Sequence, residues 1–305
     1  MDIWRVQLKP NPSDGISYKD VLSFCIRNRI IGVGWPLIKG RTNDFYELKR
    51  EIGDIDEYSD NKTGALKAVN AIRQMQTGDL VWTRFGGDAS DYYLCKVGEI
   101  LWKDRLVTDE HMRHDIGNFV SADWVCIGKE DKVPGKVVNS FCARGTAQRV
   151  YNVQEISMYI WNKLCSNSKK AYTVDKLAKE SFWTMIGSEE LECLILLYLQ
   201  YRGYMIYSST LKRSTAKYET VMVARNGSHL CFPQVKRNTH LDISDYIEGL
   251  DDGDRVYLFT TSEDYIGAKH PQIECFTKHE IENFMYHHYE ILPKTVQYWL
   301  DAISK

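Results

Sequence analysis

At 305 residues, the chain is long enough for two domains that each bury a hydrophobic core. Its 44% hydrophobic and 26% charged residues exclude a disordered or fibrous protein. The 39 basic residues nearly balance the 41 acidic ones, which excludes a protein that coats nucleic acid non-specifically but allows a local basic groove. No apolar run approaches the roughly 20 residues that cross a bilayer, and no signal-peptide pattern opens the chain. We therefore expect a cytoplasmic protein without membrane contact, whose eight scattered cysteines are reduced thiols.

The first half of the chain, to about residue 150, combines short strands with two helices. Trp4 to Leu8 alternates and predicts a strand, and Ser17 predicts the N-cap of a helix that runs to about Arg27. Further predicted elements are a strand over 30–36, a helix over about 63–75, and strands over 78–84, 92–102 and 123–129. The mix predicts a small, partly closed β-barrel with helices at its rim.

The Gly34-Trp35 segment and the strand that starts Gly78-Asp79 occur in an order that resembles the PUA-like superfamily, and within it the EVE and YTH-type domains. The resemblance covers roughly residues 2–150 and implies a pocket that accepts a flipped, modified base between aromatic walls. Stacking is worth about 1–3 kcal/mol per ring, so two or three rings offset the cost of base extrusion.

Candidates for this pocket are aromatic residues and two aspartates in a Gly-rich turn. The resemblance favours Trp35 and Trp82, and each ring could equally belong to the barrel core. The aspartates could accept hydrogen bonds from an exocyclic amine or simply form the turn, and two cations could contact phosphates. The full set is Trp35, Trp82, Tyr92, Tyr93, Trp102 and Trp124, with Asp88 and Asp91, and with Arg84 and Lys96 as the cations.

Residues 151–187 predict a helical linker, with one helix over 154–164, a polar break, and a second short helix over 174–183. The linker separates a recognition domain over 1–150 from a second domain over 188–305. In that second domain, Ser188 predicts an N-cap and Gly203 a helix end. The residues between them are apolar almost all round, which predicts a helix buried against a sheet. A strand over 204–207, a hairpin, a helix over 243–250 and a strand over 255–260 follow, which makes the chain α+β.

Asn226-Gly227 joins two short β-type runs and predicts a hairpin. Because strand side chains alternate between faces, Gln234 and Lys236 share one face of the second run. Glu219 shares a face with the valines of the first run. A carboxylate and a Gln-x-Lys pair can therefore converge.

This arrangement resembles the PD-(D/E)xK nuclease superfamily, in the Mrr-like variant where Gln replaces the second acid. The resemblance implies a restriction-endonuclease-like core that cleaves DNA, in particular foreign or modified DNA in prokaryotic defence. Glu219 and Gln234 would bind Mg²⁺ or Mn²⁺, and Lys236 would act as the catalytic cation. Glu192 matches the acid of the preceding helix, with Glu189 and Glu190 as substitutes. Two departures are Glu219 in place of the common Asp, and Pro233, which we expect only at a sheet edge or bulge.

The loop over 209–217 is basic and rich in hydroxyls, so it could hold phosphates or be an ordinary solvated loop. The candidate nucleic-acid ligands beside the site are Lys212, Arg213, Lys217 and Arg237.

Two alternatives to a DNA endonuclease stay open. One is a non-catalytic nucleic-acid-binding protein or effector subunit on a degenerate nuclease fold, since a strand Glu is often only the partner of a nearby Lys. The other is an RNA-directed enzyme, because PUA-like domains also bind RNA. Double-strand cutting usually takes two sites, so a homodimer is a reasonable expectation.

Overall fold

The computed structural model describes residues 1–13, 15–36, 45–55, 61–85, 91–165, 171–174, 176–210 and 218–303. The chain divides into two compact units, Met1–Ser181 and Phe182–Ile303. Both units mix helices with strands, which confirms the predicted α+β class. Across these described ranges, no helix is both long and apolar enough to cross a bilayer.

The first unit is built on one six-stranded half-barrel sheet with the order β2-β5-β4-β3-β1-β6. Strands β1 and β3 are parallel, and the other neighbours in the sheet are antiparallel. The strands are β1 (Ile3–Leu8), β2 (Ile30–Val33), β3 (Leu80–Phe85), β4 (Tyr92–Val97), β5 (Asn118–Gly128) and β6 (Ala147–Arg149).

Helices of the first unit pack on this sheet. The predicted capping of the first helix is confirmed, because the Ser17 side chain accepts from the Asp20 amide and the Asp20 carboxylate accepts from the Ser17 amide. Apolar residues of the first and third helices, including Phe24 and Ile72, form one core with β1. The helices are α1 (Tyr18–Asn28), α2 (Phe45–Asp54), α3 (Lys62–Gln74), α4 (Asp109–Arg113), α5 (Gly135–Cys142) and α6 (Gln154–Leu164).

Helix α6 was predicted as part of a linker, and it belongs to the first unit, which extends to Ser181. The Ser157 hydroxyl on α6 accepts a hydrogen bond from the Trp82 indole at 2.9 Å, so the helix is tied to the sheet. The second linker helix begins later than predicted, as a 3₁₀ turn at Lys179–Ser181 followed by a short helix in the second unit.

The second unit holds a five-stranded sheet with the order β13-β11-β9-β8-β7. Strands β7, β8 and β9 are antiparallel neighbours, whereas β9, β11 and β13 run parallel. Its strands are β7 (Tyr204–Ile206), β8 (Met222–Ala224), β9 (Leu230–Lys236), β11 (Arg255–Thr260) and β13 (Ile273–Cys275). Two further strands, β10 (Leu241–Asp242) and β12 (Tyr265–Ile266), form a separate parallel pair. The helices are α7 (Phe182–Met185), α8 (Ser188–Tyr201), α9 (Lys278–His287) and α10 (Lys294–Ala302).

The predicted hairpin is confirmed in β8 and β9, with Gly227 at a φ of 70° and its amide donating to the Ala224 carbonyl at 2.7 Å. The buried helix is confirmed as α8, although its N-cap is Gly187 rather than Ser188. The predicted helix over 243–250 is wrong in type, because only the 3₁₀ turn Ile243–Tyr246 forms there. Asp242 caps that turn by accepting from the Ser244 amide at 2.9 Å, which favours a tight turn over a longer helix.

Candidate active site

Strand β9 carries the two residues of the Gln-x-Lys pair into the middle of the second sheet. Gln234 lies opposite Leu258 and Lys236 opposite Thr260 in the parallel register with β11. Pro233, before them, and Val235, between them, are both buried, and the alternation of strand side chains puts them on the other face. The side chains of Gln234 and Lys236 therefore share one face, as the alternation predicts.

Glu219 reaches the same face, although it precedes β8 instead of lying within it. Its backbone amide donates to the Pro233 carbonyl at 3.0 Å. Its carboxylate Oε1 lies 3.2 Å from the Lys236 ammonium, with 20% of the Glu219 side chain and 44% of the Lys236 side chain exposed. The structure thus brings the predicted acid and the predicted cation into direct contact.

Pro233 is not at a sheet edge, because β9 lies between β8 and β11. The Pro233 carbonyl points to the β8 side, where it accepts from Glu219, and a residue's missing N–H falls on the same side as its carbonyl. The β8 ladder ends at the pair Met222 and Cys231, before it reaches Pro233. No ladder donor is therefore lost, which explains how a central strand accommodates this proline.

The Gln234 amide is buried, with 6% of the residue exposed, and it links the acid to the cation. Oriented to match its neighbours, the amide nitrogen donates to Glu219 Oε1 at 2.9 Å and the amide oxygen accepts from Lys236 Nζ at 3.3 Å. Burial raises the pKa of the nearby Tyr246 hydroxyl, on the 3₁₀ turn, and Gln234 and Lys236 lower it.

Glu192 near the start of α8 is electrostatically coupled to the same group. Burial raises the pKa of its carboxyl foremost, the charge of Glu219 raises it further, and Lys236 lowers it. Of the two substitutes, Glu189 raises the pKa of Glu192 a little further, and the charge of Glu190 raises the pKa of Arg237. Glu192 is the helix acid whose carboxyl responds to the charges of Glu219 and Lys236, and we call Glu219, Gln234 and Lys236, together with this acid, the EQK site.

The EQK site offers oxygen donors suited to a hard divalent ion. Its two carboxylates and one amide fall short of a three-residue His, Cys, Asp or Glu cluster, and the described ranges contain no such cluster. If the amide turns its oxygen toward Glu219, the two oxygens are 2.9 Å apart. Adjacent ligands of an octahedral Mg²⁺ with bonds of about 2.0–2.1 Å are separated by about 2.9 Å. Glu219 and Gln234 therefore fit Mg²⁺ or Mn²⁺ as neighbouring ligands.

Of the predicted nucleic-acid ligands, the structure describes Arg237 and Arg84. Lys212, Arg213 and Lys217 lie outside the described residues. The half-buried Arg237 guanidinium donates to the Thr184 carbonyl at 3.3 Å, and burial lowers its pKa. In the first unit, Arg84 donates to the Tyr92 hydroxyl at 3.1 Å and lies over the Phe141 ring.

Two of the predicted pocket rings are core residues. Trp82 is fully buried beneath α6, and Tyr92 is 2% exposed with its ring edge-on to Phe141 of α5. The prediction that they line a base pocket is wrong, because α5 and α6 cover the sheet face that carries both rings. Trp102 is buried as well, and its indole donates to Asn118. Asp88 lies outside the described residues.

Trp35 does line a cavity, of about 330 Å³, that the structure places between β2 and the end of β1. Asp115, which the sequence analysis missed, contributes a carboxyl whose pKa is raised by burial and which accepts from the Asn11 amide at 2.7 Å. Gly34 makes room for it, since a Cβ there would lie 2.5 Å from the carboxylate oxygens. The buried Asn118 amide holds the Gly34-Trp35 backbone by donating to both carbonyls. The cavity thus joins one indole and one half-buried carboxyl.

No protein-family profile, curated protein or solved structure matches this chain.

Proposed function

We propose that the protein is a metal-dependent endonuclease that cleaves DNA, in particular foreign or modified DNA in prokaryotic defence. The observation that carries the proposal is the convergence of Glu219, Gln234 and Lys236 on one sheet face, with Lys236 Nζ 3.2 Å from Glu219 Oε1. The Gln234 amide and the Lys236 ammonium, two residues apart on β9, both contact the Glu219 carboxylate, which comes from another segment of the chain. Such a set suits phosphodiester hydrolysis, which needs oxygen ligands for a divalent ion and a fixed cation.

Each residue of the EQK site has a distinct role in this proposal. Glu219 and Gln234 would hold Mg²⁺ or Mn²⁺, which when bound supplies a polarised water and neutralises charge on the phosphate. Lys236, whose side chain is partly exposed, would stabilise the developing negative charge on the phosphoryl oxygens. Glu192 would add negative charge near the metal once its carboxyl loses its proton, and its raised pKa means that this happens at a higher pH than for an ordinary glutamate.

The cavity at Trp35 supports a recognition role for the first unit. An indole offers a stacking surface, and a half-buried carboxyl such as Asp115 can accept hydrogen bonds from a ring N–H or exocyclic amine. Of the rings predicted for a base pocket, Trp35 lies at this cavity, and it is the aromatic face that the described residues offer there for stacking.

A nicking assay on supercoiled plasmid tests the proposal. We expect cleavage that requires Mn²⁺ or Mg²⁺ and that Lys236→Ala abolishes, whereas Lys269→Ala, an exposed lysine of the same unit, cleaves like the wild type. Parallel reactions on unmodified DNA, base-modified DNA and RNA identify the substrate. Absence of divalent-dependent cleavage on all three substrates would contradict the proposal.

A second candidate is a non-catalytic nucleic-acid-binding protein on a nuclease-like scaffold. The observation that favours it is the closed network itself, since the ion pair and the Gln234 amide satisfy each other without a metal. On this account Glu219→Ala leaves nucleic-acid affinity unchanged and no divalent ion binds. A fluorescence-anisotropy titration of labelled DNA and RNA, with and without Mn²⁺, separates the two.

A further inference from the structure

A second cavity of the first unit lies beside α6, and we call it the Lys96 cavity. Its volume is about 450 Å³, which is within the range of small-molecule sites. Lys96 and Trp124, both predicted as ligands of a base pocket, lie together in its wall with Trp161 of α6. Ile26, Arg29, Asp123 and Cys165 line it as well. The cavity therefore combines aromatic walls with charged groups.

The Lys96 ammonium has no carboxylate partner in the part of the chain that the structure describes. Its neighbour across the strands is Asp123, the position from which an opposite charge pairs with a strand lysine. The Asp123 carboxylate pairs with the Arg29 guanidinium instead. Lys96 Nζ lies 5.7 Å from the centroid of the Tyr172 ring, and a ring face supplies no lone pair for its N–H groups. The half-buried ammonium can therefore donate to a ligand.

The charges at the cavity do not cancel. Arg29 and Asp123 neutralise each other, which leaves the positive charge of Lys96. The Cys165 thiol does not offset that charge, because burial foremost, and the charge of Asp123 after it, raise the pKa of the thiol and keep it protonated at neutral pH. The cavity therefore favours a ligand that carries an anionic group.

Two indoles are fixed in the wall of the cavity. The Trp124 N–H donates to the Ile30 carbonyl at 3.1 Å, and the ring is half-buried, so part of its surface is open to a ligand. Trp161 is 4% exposed and closes the wall on the side of α6. Indole faces bind nucleobases by stacking, because every base has a flat π-face. An ammonium beside an indole thus matches the two ends of a nucleotide, a phosphate and a base.

We propose that the Lys96 cavity binds one nucleoside monophosphate unit, with the phosphate at Lys96 and the base against Trp124. The unit can belong to a free nucleotide or to a nucleic-acid strand, since both present the same chemistry. Among the described residues, this cavity and the one at Trp35 share no lining residue, so the two sites are distinct. The inference does not rest on cleavage at the EQK site, which lies in the other unit.

Calorimetry with matched ligands tests the inference. In EDTA, which excludes binding through a divalent ion, we expect deoxynucleoside 5′-monophosphates to bind at least about 10-fold more tightly than the matching deoxynucleosides, because only the nucleotides offer Lys96 a charged partner. Lys96→Gln should remove this difference. Lys67→Gln changes an exposed lysine of α3 and is the matched control, which should keep the wild-type difference.

Asp123→Asn provides a test that misfolding cannot imitate, because it predicts a gain. The substitution keeps the size of the side chain and leaves the Arg29 guanidinium without its counter-charge. We therefore expect the nucleotides to bind about two- to fivefold more tightly than to the wild type, with the affinity for deoxynucleosides unchanged. Nucleotide binding that is unchanged or weaker in Asp123→Asn would contradict the charge argument and overturn the inference.

A single-stranded oligonucleotide distinguishes the two sources of the ligand. Binding of the free mononucleotides assigns the site to them, and binding of the oligonucleotide alone, lost in Lys96→Gln, assigns it to a strand. Equal affinity for nucleotides and nucleosides, a difference that persists in Lys96→Gln, or no binding of either ligand overturns the inference. Those results leave the proposed nuclease intact, because cleavage is measured separately, and absence of cleavage likewise leaves this site intact.

Discussion

The Lys236→Ala variant distinguishes two roles for Lys236, that of a catalytic cation and that of a partner in a structural ion pair. In the fold, Lys236 contacts Glu219 at 3.2 Å and the Gln234 amide oxygen at 3.3 Å, and 44% of its side chain is in solvent. A pair this exposed contributes at most about 1 kcal/mol to stability. A fixed charge that faces the developing transition state is worth about 2.7–4 kcal/mol, or 100- to 1000-fold in rate. We therefore expect a large loss of activity with a small loss of stability.

The assay for this prediction has two arms. Single-turnover nicking of plasmid DNA with Mn²⁺ should slow at least about 100-fold in Lys236→Ala. Thermal unfolding followed by circular dichroism should change by less than about 4 °C, which corresponds to about 1 kcal/mol for a domain of this size. Lys269→Ala, an exposed lysine in the same unit, should change neither quantity. Wild-type cleavage by Lys236→Ala, or a loss of stability of several kcal/mol, would refute the reasoning.

Three further predictions concern residues outside this pair. Trp82→Ala should lower the free energy of unfolding, measured in urea, by about 3–5 kcal/mol, because it empties a fully buried site and leaves the Ser157 hydroxyl without the indole that donates to it. Trp35→Ala should lower the free energy of unfolding much less and should weaken nucleic-acid binding instead. Asn118→Ala should cost about 2–4 kcal/mol in the same assay, since it leaves the Trp102 indole N–H and two backbone carbonyls without their partner. Burial and Glu219 raise the pKa of Glu192, so its favourable contribution to stability is present at low pH and is lost as pH rises through the raised pKa. Glu192→Gln should accordingly raise the melting temperature at pH 8 and leave it unchanged at pH 4, and the opposite order would contradict the assigned shift.

The sequence was informative where the controlling physics is local. The Asn226-Gly227 turn predicts the hairpin, and the alternation of side chains along a strand puts Gln234 and Lys236 on one face of its second strand. The Ser17 and Asp20 capping pair likewise reports a helix start from neighbouring residues alone.

Long-range packing decided the features that the sequence did not predict. Trp82 and Tyr92 alternate correctly along their strands, but whether that face is open depends on α5 and α6, which return to the sheet much later in the chain. Pro233 is tolerated in a central strand only because β8 stops pairing before reaching it. Each depends on a neighbour that no local pattern specifies.

An anomalous difference map from crystals grown with Mn²⁺ tests the central claim most directly. We predict a peak about 2.1 Å from a Glu219 carboxylate oxygen and from the Gln234 amide oxygen, with the Gln234 nitrogen turned away from Glu219. Crystals that show no peak there, with the Gln234 nitrogen still donating to Glu219 at saturating Mn²⁺, would contradict the account.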